Sequence, residues 1–280
     1  MINNITVIIV SYKSEKAIFK CLNSIKIFKK VLILENSGDK KIKNLLKKKY
    51  PKVKVYLSSK NLGYGAGYNF LLNKVNTKFA FLITPDASIK KGTSKILLKS
   101  IKFNQHSFGI MGPFSQNKNF QINEKLFKKN IYKANHILGF CMLLNVKKIK
   151  NIGMFDENFF LYLEDIDLCK RLTLKNKNIL INKDFVIDHV GAKSSNLKNI
   201  IFLKLRNWHW MWSQYFYAKK YNGNLFALLR FIPKLIFIFL KLIYLLLKGD
   251  KNSLKYHYRL KGLYSSIVGK KSYLRPENLN

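Results

Sequence analysis

The chain has 280 residues, 48% of them hydrophobic, enough to bury a substantial core and to exclude a disordered chain or a short module. Lys and Arg number 52 against 14 Asp and Glu, a formal charge of +38, so an anionic partner is expected: nucleic acid, phospholipid headgroups or phosphorylated small molecules. Cys21, Cys141 and Cys169 are odd in number and lack CxxC spacing, which speaks against a disulfide framework and fits a reducing compartment.

The first ten residues carry no basic n-region and no small-residue cleavage site, so no secretory signal is read and a cytoplasmic location is expected. Thr6 to Val10 is a short β-branched strand, and from Ser14 the residues Ala17, Ile18, Cys21, Leu22, Ile25 and Phe28 fall at helical spacing. Val31 to Leu34 predicts a second strand, Ile42 to Leu46 a helix ended by Pro51, and Val53 to Leu57 a third strand. A glycine-rich loop and a short helix near Phe70 to Leu72 lead to a fourth strand, Phe79 to Thr84, ending at Pro85-Asp86. This βαβαβ alternation predicts an open, mostly parallel sheet covered on both faces, with its ligand site at the carboxyl ends of the strands.

Residues 90–135 show no periodicity that assigns elements. The pattern sharpens again in the apolar stretch from Ile137 to Val146, an acidic segment over 153–167 that leads into a helix, and a strand-like run from Asn178 to His189. Beyond about residue 199 the composition turns aromatic, basic and aliphatic. Leu225 to Leu247 is apolar enough to resemble a span, but Arg230, Lys234 and Lys241 would be costly at a bilayer centre, so an interfacial amphipathic segment is expected. Trp208, Trp210, Trp212, Tyr215 and Tyr217 just before it suit a headgroup boundary, and a helical subdomain packed on the core is the alternative.

With so few acids, the clustering of Asp156, Glu157, Glu164, Asp165 and Asp167 is informative. Carboxylates in a first helical turn complement the helix dipole, and one of them could equally serve as a general base. Asp86 ends a hydrophobic strand where folding requires no carboxylate; it suits a divalent cation held against a diphosphate, or a cap on the following segment. His189 receives no metal assignment from spacing alone. Asn61-Leu-Gly-Tyr-Gly-Ala-Gly-Tyr-Asn69 places three glycines between a strand and a helix, a suitable cradle for an anion. Its GxGxG spacing after the third strand, rather than GxGxxG after the first, weakens a dinucleotide-dependent Rossmann reading.

Together the segments Val7-Ile-Ile-Val-Ser-Tyr12, Glu35-Asn36-Ser37, 61–69, Leu82-Ile-Thr-Pro-Asp86 and 153–167, followed by His189, resemble the family 2 glycosyltransferases. Within them the resemblance is to the rhamnosyltransferase-like branch that builds bacterial surface polysaccharides. It covers roughly residues 5–195 and implies a GT-A fold: an α/β, mostly parallel nucleotide-binding sheet flanked by helices. The implied domains are 1–198, with a donor half to about 90 and an acceptor and catalytic half over 91–198, and a helical, membrane-associating extension over 199–280.

The resemblance also implies roles. Ser11 and Tyr12 would border the nucleotide, Glu35 would touch the base, and Asn61, Gly65 and Asn69 would line the nucleotide-sugar pocket. Asp86 would be the last acid of a DxD motif and hold Mg²⁺ or Mn²⁺, with His189 a further ligand. Asp165 would be the catalytic base, with Glu164 beside it orienting the acceptor or sharing the proton. Position 35 is Glu where the family commonly has Asp, and position 84 is Thr where a full DxD has its first acid.

The expected reaction is a single inverting displacement from dTDP-L-rhamnose, or otherwise a UDP-sugar, onto a lipid-linked glycan at an anionic membrane surface, the protein bound peripherally at the inner face. Monomer and homo-oligomer both stay open. A nucleic-acid-binding protein is the alternative the charge suggests, although the acidic cluster and Asp86 would then have no role, and no nucleic acid is expected.

Overall fold

The protein is described by a computed structural model covering residues 2–104, 107–114, 122–128, 130–189 and 197–279. The β-branched opening run forms β1 (Ile5–Ser11), and α1 (Glu15–Ser24) buries Ile18, Cys21 and Leu22. After β2 (Val31–Glu35), the Asp39 carboxylate accepts from the Lys41 and Ile42 N–H groups and so caps α2 (Lys40–Lys49). Then come β3 (Lys54–Leu57), α3 (Gly65–Leu72), β4 (Phe79–Ile83) and β5 (Ala87–Ile89).

The stretch without sequence periodicity contains α4 (Thr93–Asn104), β6 (Phe108–Pro113), β7 (Ile122–Lys128) and β8 (Ile131–Ala134). It is followed by β9 (Cys141–Asn145), α5 (Val146–Asn151) and α6 (Glu164–Leu174). The run from Asn178 to His189 is two strands: β10 (Asn178–Asn182) and β11 (Ile187–His189). A turn in which Asp184 N–H donates to Asn182 Oδ1 divides them.

The main sheet has the order β3-β2-β1-β4-β9-β6-β10-β8-β7. Strands β3, β2, β1 and β4 run parallel, and β9 enters antiparallel between β4 and β6. Strand β4 shows why such strands read as unbroken apolar runs: Phe79, Phe81 and Ile83 join the core on one face, Ala80 and Leu82 the core on the other. Strand β11 leaves this sheet and pairs antiparallel with β5, which sets His189 opposite Ala87.

The chain divides into two compact units, Met1–Asp156 with Asp165–Asn196, and Glu157–Glu164 with Leu197–Asn280. The second unit holds α7 (Asn199–Asn222), α8 (Asn224–Leu247) and α9 (Ser253–Ile267). Helices α7 and α9 approach closely at Gly262, where a Cβ would lie 2.2 Å from the Trp208 carbonyl oxygen.

That approach corrects one expectation. Trp208, Trp212 and Tyr215 are buried rather than set at a headgroup boundary, because they form the core of the three-helix unit with Phe159, Leu205 and Phe231. The exposed apolar surface lies instead on α8, which buries the stripe Ala227, Phe231, Ile238, Leu242 and Leu245 and leaves Leu225, Leu229, Phe237, Leu240 and Leu247 outside. Among the described residues no helix is long and apolar enough to cross a membrane.

Candidate active site

The carboxyl ends of β1, β2 and β4 bring Ser11, Glu35 and Asp86 to one edge of the sheet in the first unit. Ser11 and Glu35 are register partners, both fully buried. Glu35 Oε1 accepts from the Ser37 N–H at 2.8 Å and from the Ser37 hydroxyl. Glu35 Oε2 and Ser11 Oγ are buried with no partner at good hydrogen-bond geometry, although the Ser11 hydroxyl lies near enough to help hold the Glu35 carboxyl down. Burial raises the Glu35 carboxyl, opposed by the Ser37 hydrogen bonds. Next to them Tyr12 begins a turn in which its N–H donates to Ser14 Oγ at 3.2 Å.

The glycine loop is held by amides. Asn36 Nδ2 donates to Asn61 Oδ1 and to the Gly63 carbonyl, both at 3.1 Å, while Asn36 Oδ1 accepts from Leu62 N–H. Asn61 Oδ1 also accepts from Gly63 N–H, and Gly63 sits at φ +83°, a left-handed conformation glycine adopts without strain. Gly65 opens α3 and is buried. Asn69 donates to the Phe155 carbonyl at 2.9 Å and accepts from the Phe155 N–H at 3.0 Å, so its amide fastens α3 to the loop ahead of the acidic segment. Asn36 is a positioning residue that spacing alone did not single out.

Asp86 and His189, 103 positions apart in the chain, meet: His189 Nε2 lies 3.5 Å from Asp86 Oδ2. The pairing of β5 with β11 makes this meeting, and the Phe140 ring stacks on the imidazole at 4.3 Å between centroids. Asp86 Oδ1 is buried with no partner at good hydrogen-bond geometry among the described residues, although the Thr84 hydroxyl helps hold the carboxyl down. Asp86 and His189 are ligand types that a Mg²⁺ or Mn²⁺ ion accepts, and among the described residues no third His, Cys, Asp or Glu joins them in a metal-binding cluster. Burial pushes the Asp86 carboxyl up, but the His189 hydrogen bond and charge help to bring the net shift below the usual range. Thr84, at the place of a first DxD acid, turns its hydroxyl to the Phe140 carbonyl at 3.3 Å.

Asp165 lies in the first turn of α6. Its Oδ2 accepts from Gly139 N–H at 2.7 Å and its Oδ1 from Ile166 N–H at 2.8 Å. Burial raises its carboxyl above the usual range, opposed by those two N–H groups and by His136. The dipeptide Gly139-Phe140 therefore joins both candidate centres, with its Gly139 N–H on Asp165 and its Phe140 ring on His189. The Tyr64 hydroxyl donates to the Gly139 carbonyl, and a Cβ on Gly139 would lie 2.4 Å from that hydroxyl and 3.3 Å from Asp165 Oδ2.

The acidic cluster separates into different tasks. Asp167 is fully buried and ion-paired at 2.8 Å with Arg171, whose guanidinium also donates to the Ile152 and Met154 carbonyls. It is a structural anchor. Glu164 is the buried first residue of α6, following Tyr162 and Leu163, two non-glycine residues at φ +69° and +67°.

A family model described as Glycosyl transferase family 2 matches residues 6–169, more than half of the chain. The low-salt glycan biosynthesis hexosyltransferase Agl10 of Haloferax volcanii is 25% identical over 202 residues, and the match spans 64% of each protein, a little under two thirds of that relative. Among solved structures, the mannosyltransferase PcManGT of Pyrobaculum calidifontis, in complex with GDP-Man and Mn²⁺, superposes with a TM-score of 0.60 at 10% identity, covering 96% of this chain and 88% of that one. GalNAc-T7 with UDP, GalNAc and Mn²⁺ superposes with a TM-score of 0.58 at 8% identity, covering 75% of this chain and half of that one. At such identities the superpositions speak to the GT-A fold alone.

Proposed function

Because this chain belongs to glycosyl transferase family 2, we propose that it is an inverting, nucleotide-sugar-dependent hexosyltransferase acting on a lipid-linked saccharide at an anionic membrane surface. The observation that carries this reading is the approach of Asp86 to His189 at 3.5 Å beside a buried carboxylate oxygen, in the sheet-edge position where nucleotide-binding α/β folds hold a diphosphate. The relatives solved with UDP or GDP-Man and Mn²⁺ support a nucleotide-sugar donor and a divalent cation.

Asp165 takes the proton from the acceptor hydroxyl. The hydroxyl oxygen bonds to the anomeric carbon as the bond to the diphosphate oxygen breaks on the opposite face, so the configuration inverts. A raised carboxyl is a stronger base than an ordinary one, which matches this task. Asp86 and His189 would hold the cation, which would supply positive charge to the departing nucleoside diphosphate. Ser11 and Glu35 would border the nucleotide. We take dTDP-L-rhamnose as the first donor and UDP-sugars as the next, in synthesis of a surface polysaccharide, with the protein peripheral to the inner face of the membrane.

The test is release of nucleoside diphosphate from dTDP-, UDP- and GDP-sugars with Mn²⁺ or Mg²⁺ and a membrane lipid extract. Acceptor-dependent release from one donor class that Asp165→Asn abolishes is the expected result. Nucleic-acid binding with no donor turned over or bound would overturn the proposal.

A further inference from the structure

The second unit contains a cavity of about 410 Å³, within the roughly 300–1,000 Å³ common for small-ligand sites. Lys219 from α7, Lys270, Lys271 and Arg275 from the segment after α9, and a single carboxylate, Glu157, line it. Trp212 and Phe216, stacked at 4.8 Å, supply an aromatic wall.

The segment after α9 is held in place independently of any ligand. Gly269 at φ +75° turns the chain, and Lys270 N–H closes back on the Ser265 carbonyl. Trp212 Nε1 donates to the Lys270 carbonyl at 2.9 Å. His209 bridges Ser272 Oγ and the Leu274 carbonyl; burial pushes its pKa down to about 3, so it is a neutral clamp that donates to Leu274 and accepts from Ser272. The Arg275 guanidinium lies 3.6 Å from the Phe160 ring centroid and donates to two carbonyls of its own turn.

One lining group has no folding role of this kind. Ser266 is 4% exposed, and its hydroxyl is buried with no hydrogen-bond partner among the described residues. A buried donor without a partner costs about 1–3 kcal/mol unless something outside the chain accepts from it. An external acceptor for it would also meet Lys219, Lys270, Lys271 and Arg275, with Glu157 in the lining and Glu277 acting on Arg275.

We propose that this pocket binds a phosphate or diphosphate ester, with Ser266 donating to a phosphate oxygen and Lys219, Lys270, Lys271 and Arg275 neutralising its charge. The source of that group is either the diphosphate of a lipid-linked acceptor or the headgroup of an anionic phospholipid. Only the first choice rests on the transferase reading.

Calorimetric titration of the full chain with sodium pyrophosphate in EDTA, which silences a cation-dependent nucleotide site, tests the proposal. Saturable binding is expected, weakened at least tenfold in Lys219→Ala/Lys271→Ala and severalfold in Ser266→Ala. Both lysines are exposed, so the double variant keeps its fold. No saturable binding by the folded wild type, or equal binding by the double variant, overturns the pocket and leaves these lysines as partners of the helix C-terminal dipoles. Displacement of pyrophosphate by farnesyl diphosphate supports the acceptor as source, and displacement by phosphatidylglycerol vesicles supports the headgroup. Because pyrophosphate binding in EDTA is independent of turnover, failure of donor hydrolysis leaves this result intact.

Discussion

Two carboxylates of the site are shifted in opposite directions by what surrounds them. Asp86 is held down with the help of His189, whereas Asp165 is held up by burial. A base must be unprotonated to act, so the acidic limb of kcat/KM should fall above the ordinary Asp value of about 3.9; activity rises with pH through the Asp165 pKa and is lost below it. A pH profile of nucleoside diphosphate release checks this, with an acidic limb at or below the ordinary value counting against it. Asp165→Asn should lower kcat by about 10²- to 10⁴-fold. Gly139→Ala makes a sharper case, because its methyl would press on Tyr64 and Asp165 without removing a catalytic group; a loss of about 10²-fold in kcat is expected in a protein that still folds but melts earlier.

At the scale of elements, pairings far apart in the chain create the site. Antiparallel pairing of β5 with β11 brings His189 to Asp86, and α6 reaches the 152–154 turn through Asp167 and Arg171. Arg171→Met would remove the ion pair of the fully buried Asp167 carboxylate, a cost of about 3–5 kcal/mol readable by denaturant unfolding. The crossing of α7 and α9 is equally demanding. Gly262→Ala would drive a methyl into the Trp208 carbonyl and should destabilise the second unit by about 1–3 kcal/mol, seen as an early transition in thermal unfolding.

For the whole molecule, a charge of +38 and the exposed apolar residues of α8 favour an anionic bilayer surface. Leu229→Glu/Phe237→Glu places two acids on that face, where 66% and 60% of these side chains are exposed. Sedimentation with phosphatidylglycerol vesicles should be lost in this variant with no change in melting temperature. Sedimentation equal to wild type would show that α8 does not meet the bilayer.

Much of the first unit was legible because its information is local. The runs Thr6–Val10, Val31–Leu34 and Phe79–Thr84 carry their strand identity in β-branched and aromatic residues, and the family's motifs lie in the loops at the strand ends, where a few neighbouring residues carry the chemistry. Residues 90–135 were illegible because their strands belong to the far half of the sheet, where pairing partners rather than periodicity decide the conformation. Trp208, Trp212 and Tyr215 were misread as part of a headgroup belt because an apolar side chain suits a helix core as well as a bilayer boundary; Trp210 of the same run is exposed. The sequence by itself thus determined the strand-helix order up to Asp86, the family and the candidate acids, all written in short stretches of chain. Only the tertiary structure decided what each acid meets: His189 across two strands for Asp86, the Gly139 N–H for Asp165, and the Arg171 guanidinium for Asp167, since burial and long-range register have no signature in adjacent residues.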